Sequence, residues 1–202
     1  MSSDPVQHRL AVERRHILRF MTLSDVVILG ASQFLAPIFP LFIVGRIEGG
    51  NEVTVGLAAS CFLAVKSLLQ IPFASLIDRI SGRRDDFIFL WMGTFLGAFL
   101  PLFYLVVQTP LQLFAIQGLL GVGAALAYPS YMSIYTRCID GQKVGTIWGV
   151  RFTLIDLAGA GAASLGGAIA FLFGFQDLIL LFVGMNTVGF LLLFPLRRLV
   201  SV

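Results

Sequence analysis

The sequence predicts an all-α membrane protein with six transmembrane helices and both termini in the cytoplasm. Three observations carry that expectation. Of the 202 residues 57% are hydrophobic and only 12% charged, too few polar groups to cover a soluble domain of this size. Apolar runs recur that are each long enough to cross about 30 Å of hydrocarbon. The cations lie almost entirely on alternate connections between those runs, as the positive-inside rule requires of cytoplasmic loops.

The first run extends from about Thr22 to Val44 and the second from Val53 to Ile77. The third and fourth cover Phe87 to Val107 and Leu111 to Tyr135, and the last two cover Val144 to Phe173 and Leu178 to Leu196. Each must be helical, because an open sheet would leave backbone groups unpaired in lipid. The organisation expected is a basic arm (1–20), a six-helix domain (21–198) and a short tail (199–202). With the N-terminus inside, Arg9, Arg14, Arg15, Arg19, Arg79, Arg83, Arg84, Arg137, Lys143, Arg197 and Arg198 are cytoplasmic, against Arg46 outside. Lys66 and Arg151 fall within spans. The arm lacks the apolar core of a cleavable signal peptide. It is expected either to lie on the anionic inner surface through Leu10, Ile17 and Leu18 or to remain a disordered basic tail.

Several classes are disfavoured. Cys61 and Cys138 form no metal spacing, and both histidines, His8 and His16, precede the first span. There is no nucleotide loop of the G-x-x-x-x-G-K-[ST] type and no nucleophile elbow. No cofactor, metal, enzymatic activity or nucleic-acid partner is expected.

Charge concentrates at "DRISGRRDD", residues 78–86. Its arginines hold topology, but acidic residues contribute little to orientation, so Asp78 and Gly82 need another reason. Leu76, Asp78, Arg79, Gly82, Arg83 and Arg84 resemble the loop between the second and third helices of the major facilitator superfamily, G-x-L-x-D-R-x-G-R-R/K. Ala74 stands for the leading Gly, and Ser81 is an extra residue. "IQGLLGVGAALAYPSY" (116–131) is similar to the family's fourth helix, with Phe114 where that helix usually carries Arg. "GAGAASLGGAIAFLFGF" (159–175) is similar to the fifth helix and "QFLAPIFPLFI" (33–43) to the first. The resemblance covers about residues 20–198. It implies one six-helix half of a twelve-helix carrier, a gating turn at Asp78, Arg79, Gly82, Arg83 and Arg84, and cavity walls on spans one and four. A carboxylate pairing with a cation or a helix end in that turn would latch the cytoplasmic side.

A half bundle needs a second wall, and a second copy related by an axis along the membrane normal supplies one. In the resembled packing, span two of one half faces span five of the other. Gly159, Ala163 and Gly167 recur at i, i+4 and i+8, with Ala158, Ala162 and Gly166 alongside, a spacing that lets helices approach closely. These stripes serve either the dimer contact or packing within one protomer. Lys66 and Asp156 lie near mid-membrane, where an ionisable group is costly without a partner. They are expected to pair across the dimer, as a static lock or as a pair that breaks during transport. Asp25 and Arg151, in the cytoplasmic thirds of spans one and five, are expected to pair with each other or with the charged turn, or Arg151 to snorkel to the interface. Candidate walls are Asp25, Ser32 and Gln33 on span one, Gln70 near Lys66, and Gln117, Gly121, Ala124, Tyr128 and Tyr131 on span four. Pro37, Pro40 and Pro129 are expected to break the helices near these faces.

The function expected is a homodimeric secondary transporter of small molecules in the cytoplasmic membrane, working by rocking-type alternating access with a proton or as a uniporter. Its polar stripes suit sugars, amino acids or drug-like cations. The alternatives are a scaffold or regulatory subunit that binds another membrane protein, and a channel-like oligomer, for which no filter loop or ring of like charge is visible.

Overall fold

The computed structural model describes residues 5–79, 83–139 and 143–197. These form helices α1 (Pro5–Leu35), α2 (Phe39–Arg46), α3 (Glu52–Arg79), α4 (Arg83–Phe99), α5 (Pro110–Cys138), α6 (Val144–Leu172) and α7 (Phe175–Leu191), with a 3-10 segment at Leu100–Leu105. Five helices among the described residues are long and apolar enough to span a membrane. The sixth, α7, has 17 residues, about 25 Å at 1.5 Å per residue.

The helix boundaries agree with the sequence expectation in part and depart from it elsewhere. The first span is split at residues 36–38: Pro37 cannot donate to the helix, and Pro40 is seated in the first turn of α2, where a missing N–H does no harm. The third span ends its α-helix at Phe99 because Pro101 starts the 3-10 segment. Pro129, by contrast, does not break α5, which runs through it to Cys138. Nor does the chain break at residue 20. Helix α1 continues from Pro5 across the expected arm, and Ile17 and Met21 anchor it by burial among Phe87, Leu90, Tyr131 and Tyr135. The expected tail, 199–202, lies outside the described residues.

The start of α5 is set locally. Thr109 Oγ1 accepts from the amide of Gln112, and Gln112 Oε1 accepts in return from the amides of Thr109 and Gln108. This reciprocal box satisfies donors that a helix start leaves orphaned.

Helix α3 packs on α5, α5 on α4, α4 on α7, α7 on α1 and α1 on α6, while α1 also touches α5. The result is two layers. Helices α4 and α7 form the back, and the front runs α3, α5, α1, α6, with α3 and α6 as its edges. Ends that carry the N-terminus, the end of α3 and the start of α6 gather at one pole, the basic end. One core cluster fills that end, through Met21, Leu90, Tyr135 and Leu196. A second fills the other, through Ile43, Leu113, Leu178 and Ile179, and includes Phe42 stacked on Phe175 at 4.0 Å.

Small residues close the seams between helices. Gly121 of α5 faces the Phe62 carbonyl and Val65 of α3, Gly123 faces Leu96 of α4, and Gly166 of α6 lies against the Phe34 backbone of α1. A Cβ at Gly166 would sit 2.8 Å from Phe34 Cα, whereas one at Gly161 would meet nothing within 4 Å. Gly166→Ala is therefore expected to destabilise the fold by about 1–3 kcal/mol through overpacking. Gly161→Ala should leave stability unchanged or slightly raised, by the better helix propensity of Ala. Thermal unfolding of the two variants in detergent micelles checks the opposite signs.

Candidate functional site

Candidate functional side chains lie in three tiers along the bundle. The innermost for which the bundle provides full enclosure is built on Arg151. It stands two turns into α6, at the depth of Asp25 on α1 and Tyr131 on α5. Arg151 Nε donates to Asp25 Oδ2 at 2.7 Å and to the Tyr131 hydroxyl at 3.1 Å, and Nη2 also binds Asp25 Oδ2. The guanidinium carbon lies 5.0 Å from the ring centre of Tyr131, 5.3 Å from Trp148, 5.0 Å from Phe152 and 5.9 Å from Tyr135. Its side chain is 5% exposed and that of Asp25 14%. A charge in so dry a place needs both a counter-ion and filled donor positions, and the aromatic faces add cation–π attraction. Thr22 extends the tier by a 3.0 Å hydrogen bond with the Tyr135 hydroxyl. Of the two partners left open for Asp25 and Arg151 by the sequence, the structure selects each other.

Nearer mid-membrane, Lys66 of α3 sits over the Tyr128 ring of α5, 5.2 Å from its centre. Asp156 is exposed on α6, and among the described residues neither Lys66 nor Asp156 has an ion-pair partner. Gln33 is exposed and its side chain covers Gly159, so Gly159 is taken up by α1 within the chain. Ala162 and Gly166 are buried beside it, Ala163 is half-buried, and Gly167 is open to a neighbour. Gln70 is half-buried on α3, and Gln117 is buried on α5. Ser32 turns back to its own helix, donating to the Leu29 carbonyl at 2.6 Å.

At the basic end, Asp78 and Arg79 are exposed at the end of α3; Gly82 and the side chains of Arg83 and Arg84 lie outside the described residues. The ion pair here, buried on its acidic side alone, is one that the sequence did not single out. Asp86, in the first turn of α4 and 1% exposed, pairs with Arg137 Nη1 of α5 at 3.0 Å and accepts from Ser133 Oγ at 2.9 Å. A carboxylate in a first turn is favoured by the helix dipole. The available signal was Ser133 and Arg137 one turn apart, a donor and a cation on one face. Asp78 lines a neighbouring cavity of about 400 Å³ together with Pro129, Ser133, Thr136 and Arg137. Among the described residues no group of His, Cys, Asp and Glu is placed to hold a metal.

Several apolar helices of spanning length packed in two layers define a multi-pass integral membrane protein. The chain matches the family profile of the Major Facilitator Superfamily over residues 21–201 and belongs to that superfamily, whose members are transporters. No curated protein and no solved structure shows a significant match. At the position where the family's fourth helix usually has Arg, Phe114 packs on the core away from the basic end, and its carbonyl accepts from Cys61 Sγ at 3.4 Å. The guanidinium of the front layer comes instead from α6.

Removing one partner of a buried pair strands the other charge. Asp25→Leu and Arg151→Met alone are each expected to destabilise the protein by about 3–5 kcal/mol, and the double variant to recover most of that loss. A thermal-unfolding cycle in micelles measures the coupling.

Proposed function

We propose that the chain is a secondary transporter of small molecules that works as a homodimer by rocking-type alternating access in the cytoplasmic membrane, with both termini inside. The observation that carries this reading is the open front layer. Helix α3 packs mainly on α5 and α6 mainly on α1, and between these edges Tyr128, Gln33 and Asp156 stand exposed, with Lys66 half-buried over the Tyr128 ring, at or near mid-membrane depth. Polar groups at that depth belong against protein or a water-filled cavity. A second copy turned about the membrane normal encloses them in a cavity of the kind carriers use. The cation distribution supports placing the basic end inside.

Rocking of two such units needs each to move as a body. The Arg151 bridge supports that, since it joins α1, α5 and α6 near the basic end. The mid-membrane carboxylate Asp156, exposed on α6, is the group we assign to proton coupling, since Asp25 is already paired with Arg151 within the chain.

The purified chain in lipid nanodiscs is expected to have the mass of two copies. In proteoliposomes it should show saturable uptake of at least one member of a panel of sugars, amino acids and organic cations, stimulated by an inward proton gradient and lost in Asp156→Asn. A monomer that still transports would reject the homodimer. A dimer that carries nothing from the panel and binds another membrane protein would favour a scaffold.

A further inference from the structure

We infer that Lys66 of each protomer forms an interchain salt bridge with Asp156 of the other, and that the ammonium exchanges the Tyr128 ring of its own chain for this carboxylate when two copies join. The inference rests on the homodimer proposed above and specifies what holds its rim.

Two charges in the front layer are left over. The other ionisable groups enclosed in the front layer, Asp25 and Arg151, neutralise each other within the chain. Among the described residues Lys66 has only the Tyr128 ring, at 5.2 Å, and Asp156 faces outward. A cation–π contact is weaker than an ion pair shielded from water, and a bare carboxylate in mid-membrane is costly. Each of the two groups therefore lacks a partner of the kind the other supplies.

Depth comes next. Lys66 stands about 20 Å from the end of α3 at Arg79, and Asp156 about 18 Å from the start of α6 at Val144, at 1.5 Å per residue. Both helix termini lie at the basic end, so the two charges share one level. Lateral position agrees. Lys66 reaches over α5, on the inner flank of its edge helix. Asp156 lies one turn from Phe152 and from Gly159 on α6. Phe152 stacks with Trp148, Trp148 contacts Tyr135 of α5, and Gly159 is covered by Gln33. That flank is the one α6 turns toward the middle of the front layer.

Symmetry then completes the placement. A two-fold axis along the membrane normal carries the α3 edge of one copy onto the α6 edge of the other and leaves every residue at its own depth. Each Lys66 thus meets a partner Asp156 at the same level, twice per dimer. An axis in the membrane plane would instead put the two basic ends on opposite sides of the bilayer. Lysine suits the exchange, since its flexible stem lets the ammonium swing from ring to carboxylate without moving either helix.

The test uses the full chain in nanodiscs and reads the fraction of dimer by single-molecule photobleaching. Lys66→Asp sets acid against acid and Asp156→Lys cation against cation, so each should weaken association by about tenfold or more, roughly the loss of one ion pair. The doubly reversed chain should dimerise like the original. In a background with Cys61→Ser and Cys138→Ser, chains carrying Lys66→Cys mixed with chains carrying Asp156→Cys should yield a covalent dimer on mild oxidation, and chains carrying either cysteine alone should not. The cysteine arm keeps the test decisive if reversed charges prevent membrane insertion. An original chain that is monomeric overturns the homodimer and this pairing with it. A dimeric original chain overturns the pairing alone if its two reversals dimerise undiminished or the mixed cysteines fail to link.

Discussion

Everything in this bundle depends on how closely its helices can approach, because lipid supplies no hydrophobic drive to push them together. Association in that solvent comes from van der Waals contact and a few polar contacts, and both fall off within a fraction of an ångström of misfit. The seams α3–α5, α4–α5 and α1–α6 are accordingly lined where they are tightest by Gly121, Gly123, Gly159 and Gly166. The polar contacts inherit this precision. Arg151 and Gly159 lie two turns apart on α6, so the seam that seats Gly159 on Gln33 also sets how far the guanidinium reaches toward Asp25 and Tyr131. A side chain in that seam would hold α6 off α1 and open bonds of 2.7 and 3.1 Å beyond useful length.

Charge is handled differently at each depth. Next to the basic end, Asp86 is buried while Arg137 remains half exposed, so water still helps to solvate the pair. Two turns in, Asp25 and Arg151 have little water, and the bundle surrounds the cation with a carboxylate, a phenol and aromatic faces. At mid-membrane Lys66 is half-buried over the Tyr128 ring and Asp156 is exposed. The deepest of these carboxylates, Asp156, is thus more exposed than Asp25 or Asp86 nearer the basic end.

The number and order of spans were legible in the sequence because hydropathy and cation placement are properties of whole segments. The pairing of Asp25 with Arg151 was half legible: each lay in the cytoplasmic third of its span, but depth alone does not choose between partners. Their aromatic surround was not legible, since 19 Phe distributed along an apolar chain give Phe152 no distinction until helix phase is known. Phase also hid Asp86. It stands beside Asp85 in a turn already crowded with charge, and one residue of rotation, about 100°, decides which of the two enters the core. The small-residue stripes on α6 share this ambiguity. Gly159, Ala163 and Gly167 are offset from Ala158, Ala162 and Gly166 by that same rotation, and only the neighbouring backbone shows that α1 takes Gly159, Ala162 and Gly166 and leaves Gly167 free.

The position of the guanidinium has a mechanical consequence. The front layer consists of two tightly seamed pairs, α3 with α5 and α1 with α6, and small residues alone would let these pairs slide past one another along the α1–α5 line. Arg151 and Tyr135 cross that line, the first through Tyr131 and the second through Thr22. Because Arg151 is rooted on the edge helix α6, its bridge spans α6, α1 and α5 together, which a cation at position 114 of α5, on the other side of mid-membrane, would not do. Shear between the pairs must then break both of these hydrogen bonds and move the Arg151 cation off the Tyr131 and Tyr135 rings, whereas rotation of all six spans as a body breaks neither. The stiffness of the unit near the basic end and the openness of its front at mid-membrane are thus two results of one arrangement: the polar contacts that the bundle can satisfy internally lock it, and those that it cannot face outward.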